Sequence, residues 1–114
     1  MPRRMLDRPL AAMMIIDHTG CIVSCNPQGL ALLGYSYPLQ VIGRDISFVM
    51  PYGSEDDPLR KCARKGAPEP VTAEHFFHEE GSLVSVLYRS DPVWLENGLR
   101  GAMCTFAAAP KGCK

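Results

Sequence analysis

The sequence has no surplus of charge: lysine plus arginine and aspartate plus glutamate each number 12. A dedicated nucleic-acid binder or acidic-membrane binder draws its affinity from excess positive charge, so neither class fits. Long apolar runs are missing too. The longest near the start, Leu10 to Ile16, is seven residues, where crossing a bilayer takes about 20. Arg3, Arg4 and Arg8 precede that run as they would in a signal peptide. However, Asp17 and His18 end it with no small-residue cleavage site behind them. The five cysteines are an odd number and form neither C-x-x-C nor C-x-x-C-H. Reduced thiols in a cytoplasmic protein are the reading this favours. G-x-S-x-G, a Gly-rich phosphate loop and H-E-x-x-H are all absent, so no motif calls for an enzyme.

What is present suits one domain. A chain of 114 residues, 46% hydrophobic, can build one core and leaves little room for a second. "AAMMIID" predicts a buried strand, "HTG" a turn in which Gly20 takes positive φ, and "CIVSCN" a returning strand. Asn26 then caps a helix that opens on Pro27, carries Leu30, Leu32 and Leu33, and stops at Gly34. That helix is about two turns long, too short to stand alone, so it must pack on the sheet. Short pieces broken by Pro38, Gly43, Pro51 and Gly53 follow. A second helix runs from Pro58 to Lys65, with Asp56 and Asp57 at its start and Arg64, Lys65 and Gly66 at its end. "VTAEHFFHEE" and "SLVSVLYRSDPV" form a hairpin around Gly81, "WLENG" is a loop, and "LRGAMCTFAA" is a last strand. The expected fold is α+β: a five-stranded antiparallel sheet with short helices on one face. The expected organisation is a flank at 1–10, the domain at 11–108 and a second flank at 109–114.

The order of these pieces resembles a PAS domain. "MMIIDHTGCIVSCNPQGLALLGYSYPLQVIGRDISFVMP" supplies the Asp-x-x-Gly hairpin, the strand-ending Asn, the leucine helix to Gly-Tyr, and Ile-Gly-Arg before a Pro. Glu79-Glu80-Gly81, a strand ending near Pro92 and Gly101 in the final strand extend the likeness to about residues 11–108. The resemblance implies a sensory and dimerising module, attached to a histidine kinase, a cyclic-dinucleotide enzyme or a transcription regulator. Many family members end the last strand with Asp-x-Thr, leading into an output helix. This chain has "TFAAAP" there, which leaves the mode of output open.

The resemblance also bears on cofactors. The light-oxygen-voltage subfamily holds its reactive Cys in a motif like G-R-N-C-R-F-L, and "GRDISFV" places Ile46 at that position. Ile cannot form a flavin adduct. Flavin-reading amides would fall at Phe76, Val86 and Tyr88, of which only Tyr88 is polar. The helix that carries an axial His in heme-binding relatives is "PLRKCARK" here, with Cys62 as its one soft ligand. No cofactor is expected, while heme and flavin stay open. His75 and His78, three apart on a strand, face opposite ways and cannot clasp one metal. His18 sits in a turn and meets water. Cys21 and Cys25, read as one strand, lie about 13 Å apart and act as small fillers. Arg60, Lys61, Arg64 and Lys65 read as a solvated basic face rather than a phosphate site.

Strand alternation then names a pocket. Phe76, Val84, Val86 and Tyr88 share one face of the hairpin, Met14, Ile16, Cys104 and Phe106 come from the flanking strands, and Ile46 and Met50 close it from the short helices. It either takes a small apolar ligand or is filled as a core. The opposite face carries Leu99, Met103 and Thr105, with Leu83 and Leu87 on the adjacent strand. A face this apolar should be covered, and a homodimer through it is the expected contact. The functional readings are a ligand- or partner-responsive sensor signalling through dimer rearrangement, a pure interaction module with a filled core, and a heme or flavin redox sensor. None binds nucleic acid or membrane directly.

Overall fold

The structure is a computed structural model that describes residues 11–51 and 58–110. The acidic start expected for the second helix at Asp56 and Asp57 lies outside the described residues, as do residues 1–10 and 111–114. The chain forms β1 (Ala12–Asp17), β2 (Ile22–Cys25), α1 (Pro27–Leu33), two single-turn helices (Pro38–Gln40 and Ile46–Phe48), α2 (Pro58–Lys65), β3 (Glu69–Phe77), β4 (Leu83–Trp94) and β5 (Arg100–Ala108). The five strands make one antiparallel sheet in the order β2-β1-β5-β4-β3. The last strand therefore slots between the first and the fourth, and α1 and α2 pack on the sheet. The α+β fold expected from the sequence is the one observed.

The first hairpin is built by Asp17. Its Oδ1 accepts from the Thr19 hydroxyl at 2.6 Å, the Thr19 N–H at 2.9 Å and the Cys21 N–H at 3.0 Å, while Gly20 takes φ 91°. This is the local side-chain turn that favours Asp before a hairpin. Cys21 belongs to no strand: it makes a lone bridge to Asp45, so β2 starts at Ile22 rather than at Cys21. The loop then continues the pairing, with the Ile22 N–H on the Arg44 carbonyl and the Ile46 N–H on the Gly20 carbonyl, both at 2.8 Å.

Arg60 of α2 locks this corner. Its guanidinium lies against Gly20 and pairs with Asp45 at 2.6 Å, with the Arg60 side chain only 16% exposed. The expected solvated basic face is thus corrected at Arg60, where a first-turn cation has found a carboxylate from a distant loop, while Arg64 and Lys65 are exposed as expected. Any Cβ at Gly20 would collide with that guanidinium.

The same corner sets an acid response. Burial works to raise the Asp17 pKa, but the bonds from Thr19 and Cys21 outweigh it and hold the carboxyl below its ordinary value. Asp45 is held down likewise, its burial outweighed by bonds from Ser47 and by Arg60. A depressed folded pKa contributes stability above the unfolded value of about 3.9, lost as pH falls through the folded pKa. The Asp17→Asn, Asp45→Asn variant should therefore be less stable at neutral pH and lose less of its stability on acidification. Melting temperatures read between about pH 7 and pH 3 check this; parallel curves for variant and parent would refute it.

Candidate functional site

Alternation puts the even-numbered residues of β1, β4 and β5 on the helix-covered face, and the register lines them up in rows across the sheet. One row runs Ile22–Ile16–Ala102, the next Cys25–Met14–Cys104–Ser90, and the third Ala12–Phe106–Tyr88–Thr72. Of the ten residues expected to line a pocket, nine are buried in one cluster: Met14, Ile16, Ile46, Met50, Phe76, Val86, Tyr88, Cys104 and Phe106. The tenth, Val84, is half-buried against it. The Phe76 ring sits between its neighbours, 5.6 Å from Tyr88 and 5.3 Å from Phe106, at the tilted and edge-on angles that aromatic pairs prefer. Leu33 from α1, Leu59 and Cys62 from α2, and Val41 and Val49 from the connecting loops join the same cluster. The strand alternation does not name these helix and loop residues, because the topology alone brings them over the sheet.

Ser90 is the polar member of this interior. It is fully buried opposite Cys104, and among the described residues its hydroxyl has no hydrogen-bond partner. Its even number on β4 places it on the inner face, so parity alone could have found it.

Cys25 and Cys62 are held as neutral thiols. Burial pushes the Cys25 thiol up to about 11, and burial with the nearby Asp91 and Glu69 charges pushes Cys62 to about 11 as well. Such thiols are protonated at neutral pH, whereas metal ligation and nucleophilic attack use the thiolate. Cys21 is also raised, by burial and then by Asp17 and Asp45. His75 is exposed on β3 opposite Ser85. His78 lies beyond the end of β3, its ring against Gly34 and its Nδ1 accepting from the Glu80 N–H at 3.2 Å. The expectation that both histidines share one strand is corrected by that strand end at Phe77. His18 is exposed. Among the described residues no group of His, Cys, Asp and Glu could hold a metal ion.

The outer face departs further from expectation. Met103 and Thr105 are half-buried at its centre, beside Ile15 and Met13 of β1. Their partners on β4 are Asp91 and Arg89, and Leu87 lies one pair further on, between Ala107 and Ala73. Leu99 is not on the final strand. It sits in the turn before Arg100, where its carbonyl accepts from the Leu95 N–H at 2.8 Å. Leu83 pairs with Phe77 at the other end of β4. Leu83 at the start of β4 and Leu99 in the turn beyond its end therefore lie far apart, and the five residues form no single patch. The contiguous group is Leu87, Thr105 and Met103, with an Arg89–Asp91 ion pair in its midst.

A family model described as PAS domain matches residues 10–106, so the chain belongs to the PAS-domain family. Solved structures agree on the fold. The PAS domain of nitrogen regulation protein NR(II) from Vibrio parahaemolyticus is 17% identical, covers 96% of this chain and 98% of its own, and superposes with a TM-score of 0.72. A PAS domain from a two-component sensor histidine kinase is 9% identical, with 94% and 92% covered and a TM-score of 0.73. The blue-light photoreceptor Aureochrome1 LOV is 20% identical, with 95% and 88% covered and a TM-score of 0.67. No curated protein matches the chain significantly. PAS domains are sensory modules and typically non-catalytic. Among the described residues no helix is long and apolar enough to cross a membrane.

Proposed function

We propose that this chain is the sensory and dimerising module of a cytoplasmic signal-transduction protein. Its output partner, fused or separate, is a histidine kinase, a cyclic-dinucleotide enzyme or a transcription regulator. A small apolar ligand or a partner acts on the buried cluster around Phe76, and the response passes through the sheet to a homodimer formed by the outer face. The domain itself carries out no reaction and holds neither heme nor flavin.

The observation that supports this reading is the division between the two faces of one sheet. The inner face is buried under α1 and α2, while the outer face presents Met13, Ile15, Leu87, Met103 and Thr105 with no helix among the described residues packed over them. Half-buried apolar rows of this kind mark contact surfaces. The close Phe76–Tyr88–Phe106 ring contacts favour a second reading. In it the core is filled and the domain serves only as an interaction module.

Sedimentation velocity of the purified chain at tens of micromolar tests the dimer. The expected result is a dimer for the parent and a monomer for Leu87→Glu, because each copy would bring a carboxylate into a dry symmetric contact. A monomeric parent would end the proposal. The absorption spectrum of the same sample is expected to lack a Soret or flavin band, and either band at stoichiometric yield would make the domain a redox or light sensor instead.

A further inference from the structure

The centre of the outer face carries one ion pair, and its arrangement is self-complementary. Arg89 donates from Nε to Asp91 Oδ2 and from Nη2 to Asp91 Oδ1, both at 3.1 Å. The two residues are neighbours on one side of β4, about 7 Å apart along the strand. Arg89 stands opposite Thr105 and Asp91 opposite Met103, with Met13 and Ile15 beyond them on β1. Leu87 precedes the pair in the outer row of β4 and Val93 follows it. Between Met13 and Ile15 on β1 and Gly101 through Ala107 on β5, the outer rows hold no other charge. A formal plus and a formal minus thus lie side by side within an apolar surface.

As a feature of one chain the pair does little. It is part exposed, with 56% of the Arg89 side chain and 30% of the Asp91 side chain open to solvent. Exposed pairs of this kind add little to the stability of a fold. Its placement makes sense when two copies meet. A two-fold axis sets residue i of one copy against residue j of the other and j against i. With the axis passing between Arg89 and Asp91, each guanidinium meets the other copy's carboxylate, and no like charges face each other. The planar fork of Arg suits this exchange, since it can hold two carboxylate oxygens from either chain.

We propose that Arg89 and Asp91 exchange partners between two copies of this chain, so that the pair sets the register of the homodimer and makes the face recognise itself. This rests on the reading of the outer face as a dimer contact. The electrostatic part follows from the exchange: association should weaken as salt rises, because the four groups start at the solvated surface.

Charge reversal tests the exchange. Arg89→Asp leaves two carboxylates on each copy and Asp91→Arg leaves two guanidiniums, so each variant alone repels its own kind. Mixed, the two variants restore both pairs. Sedimentation equilibrium at low salt should show each variant alone dissociating, with affinity down roughly tenfold or more. The equimolar mixture should regain parental affinity, with native mass spectrometry reporting one copy of each. The uncharged variant Arg89→Gln, Asp91→Asn makes the same point without repulsion, since its association should no longer respond to salt. A dimeric parent whose two variants self-associate as well as it does, and mix without preference, would overturn the exchange while leaving the outer-face dimer standing. A monomeric parent would take down both, whereas a parental dimer that gains affinity with salt, together with a mixture that fails to recover, would overturn the exchange alone.

Discussion

Asn26→Ala should lower the unfolding free energy by about 3 kcal/mol, far more than its place on the surface would suggest. The Oδ1 of Asn26 accepts from the Gly29 N–H at 2.8 Å, which caps α1, and from the Met13 N–H at 2.9 Å in β1. Its Nδ2 donates to the Ala11 carbonyl at 2.8 Å, and its own backbone N–H to the Met13 carbonyl at 3.0 Å. One side chain therefore ends β2, starts α1 and ties both to β1. Loss of a cap costs about 0.5–2 kcal/mol, and each further bond adds about 1 kcal/mol. Gly29 explains why the geometry is so tight: a Cβ there would come within 2.9 Å of Cys25 Sγ and 3.0 Å of the Met13 carbonyl. Asn26→Asp keeps the acceptor for Gly29 and Met13 but sets a carboxylate oxygen against the Ala11 carbonyl, so it should recover only part of the loss. Urea titrations of the three proteins decide the matter. A loss below about 0.5 kcal/mol for the alanine variant would mean that water replaces the bonds of Asn26 to Gly29, Met13 and Ala11.

Asn26 also shows what kind of information a sequence yields on its own. The Asn-Pro start and the Gly34 stop of α1 are local, set by a side-chain cap and by a left-handed φ of 85° that favours glycine. The inner face was equally open to reading, because period-2 alternation puts Val86 and Tyr88 on one side of β4 whatever they pack against. Contacts between distant segments were not. Arg60 looks solvated at a helix end until the loop brings Asp45 to it. The outer face failed at the edges for a related reason. Alternation gives Leu99 the right side, but only the hairpin turn from Leu95 to Leu99 shows that the strand begins one residue later. Arg89 and Asp91 share the parity of Leu87, so their place beside the apolar residues was legible from the same pattern that named Leu87.

Phe76→Ala should be the most damaging single change, costing about 3–5 kcal/mol. Phe76 is fully buried although its strand, β3, lies at the edge of the sheet. Its ring reaches inward past its pairing partner Val84 to Tyr88 on β4 and Phe106 on β5. The residue after it donates from Phe77 N to the Val49 carbonyl at 2.7 Å, so the same segment also anchors the loop that carries Ile46, Val49 and Met50. Removing the ring leaves a void lined by two aromatic side chains and loosens both the edge strand and that loop. Amide exchange should therefore quicken most along β3 and the 46–50 loop, and least in the central pair of β1 and β5. The variant also separates a filled core from an open one. If the parent interior is filled, a small aromatic solute such as benzene should raise the melting temperature of Phe76→Ala and leave the parent unchanged, since only the variant offers it a dry cavity. If the parent responds as well, or if the variant loses less than about 1 kcal/mol, the ring is loosely packed. The interior then already has room for an apolar ligand.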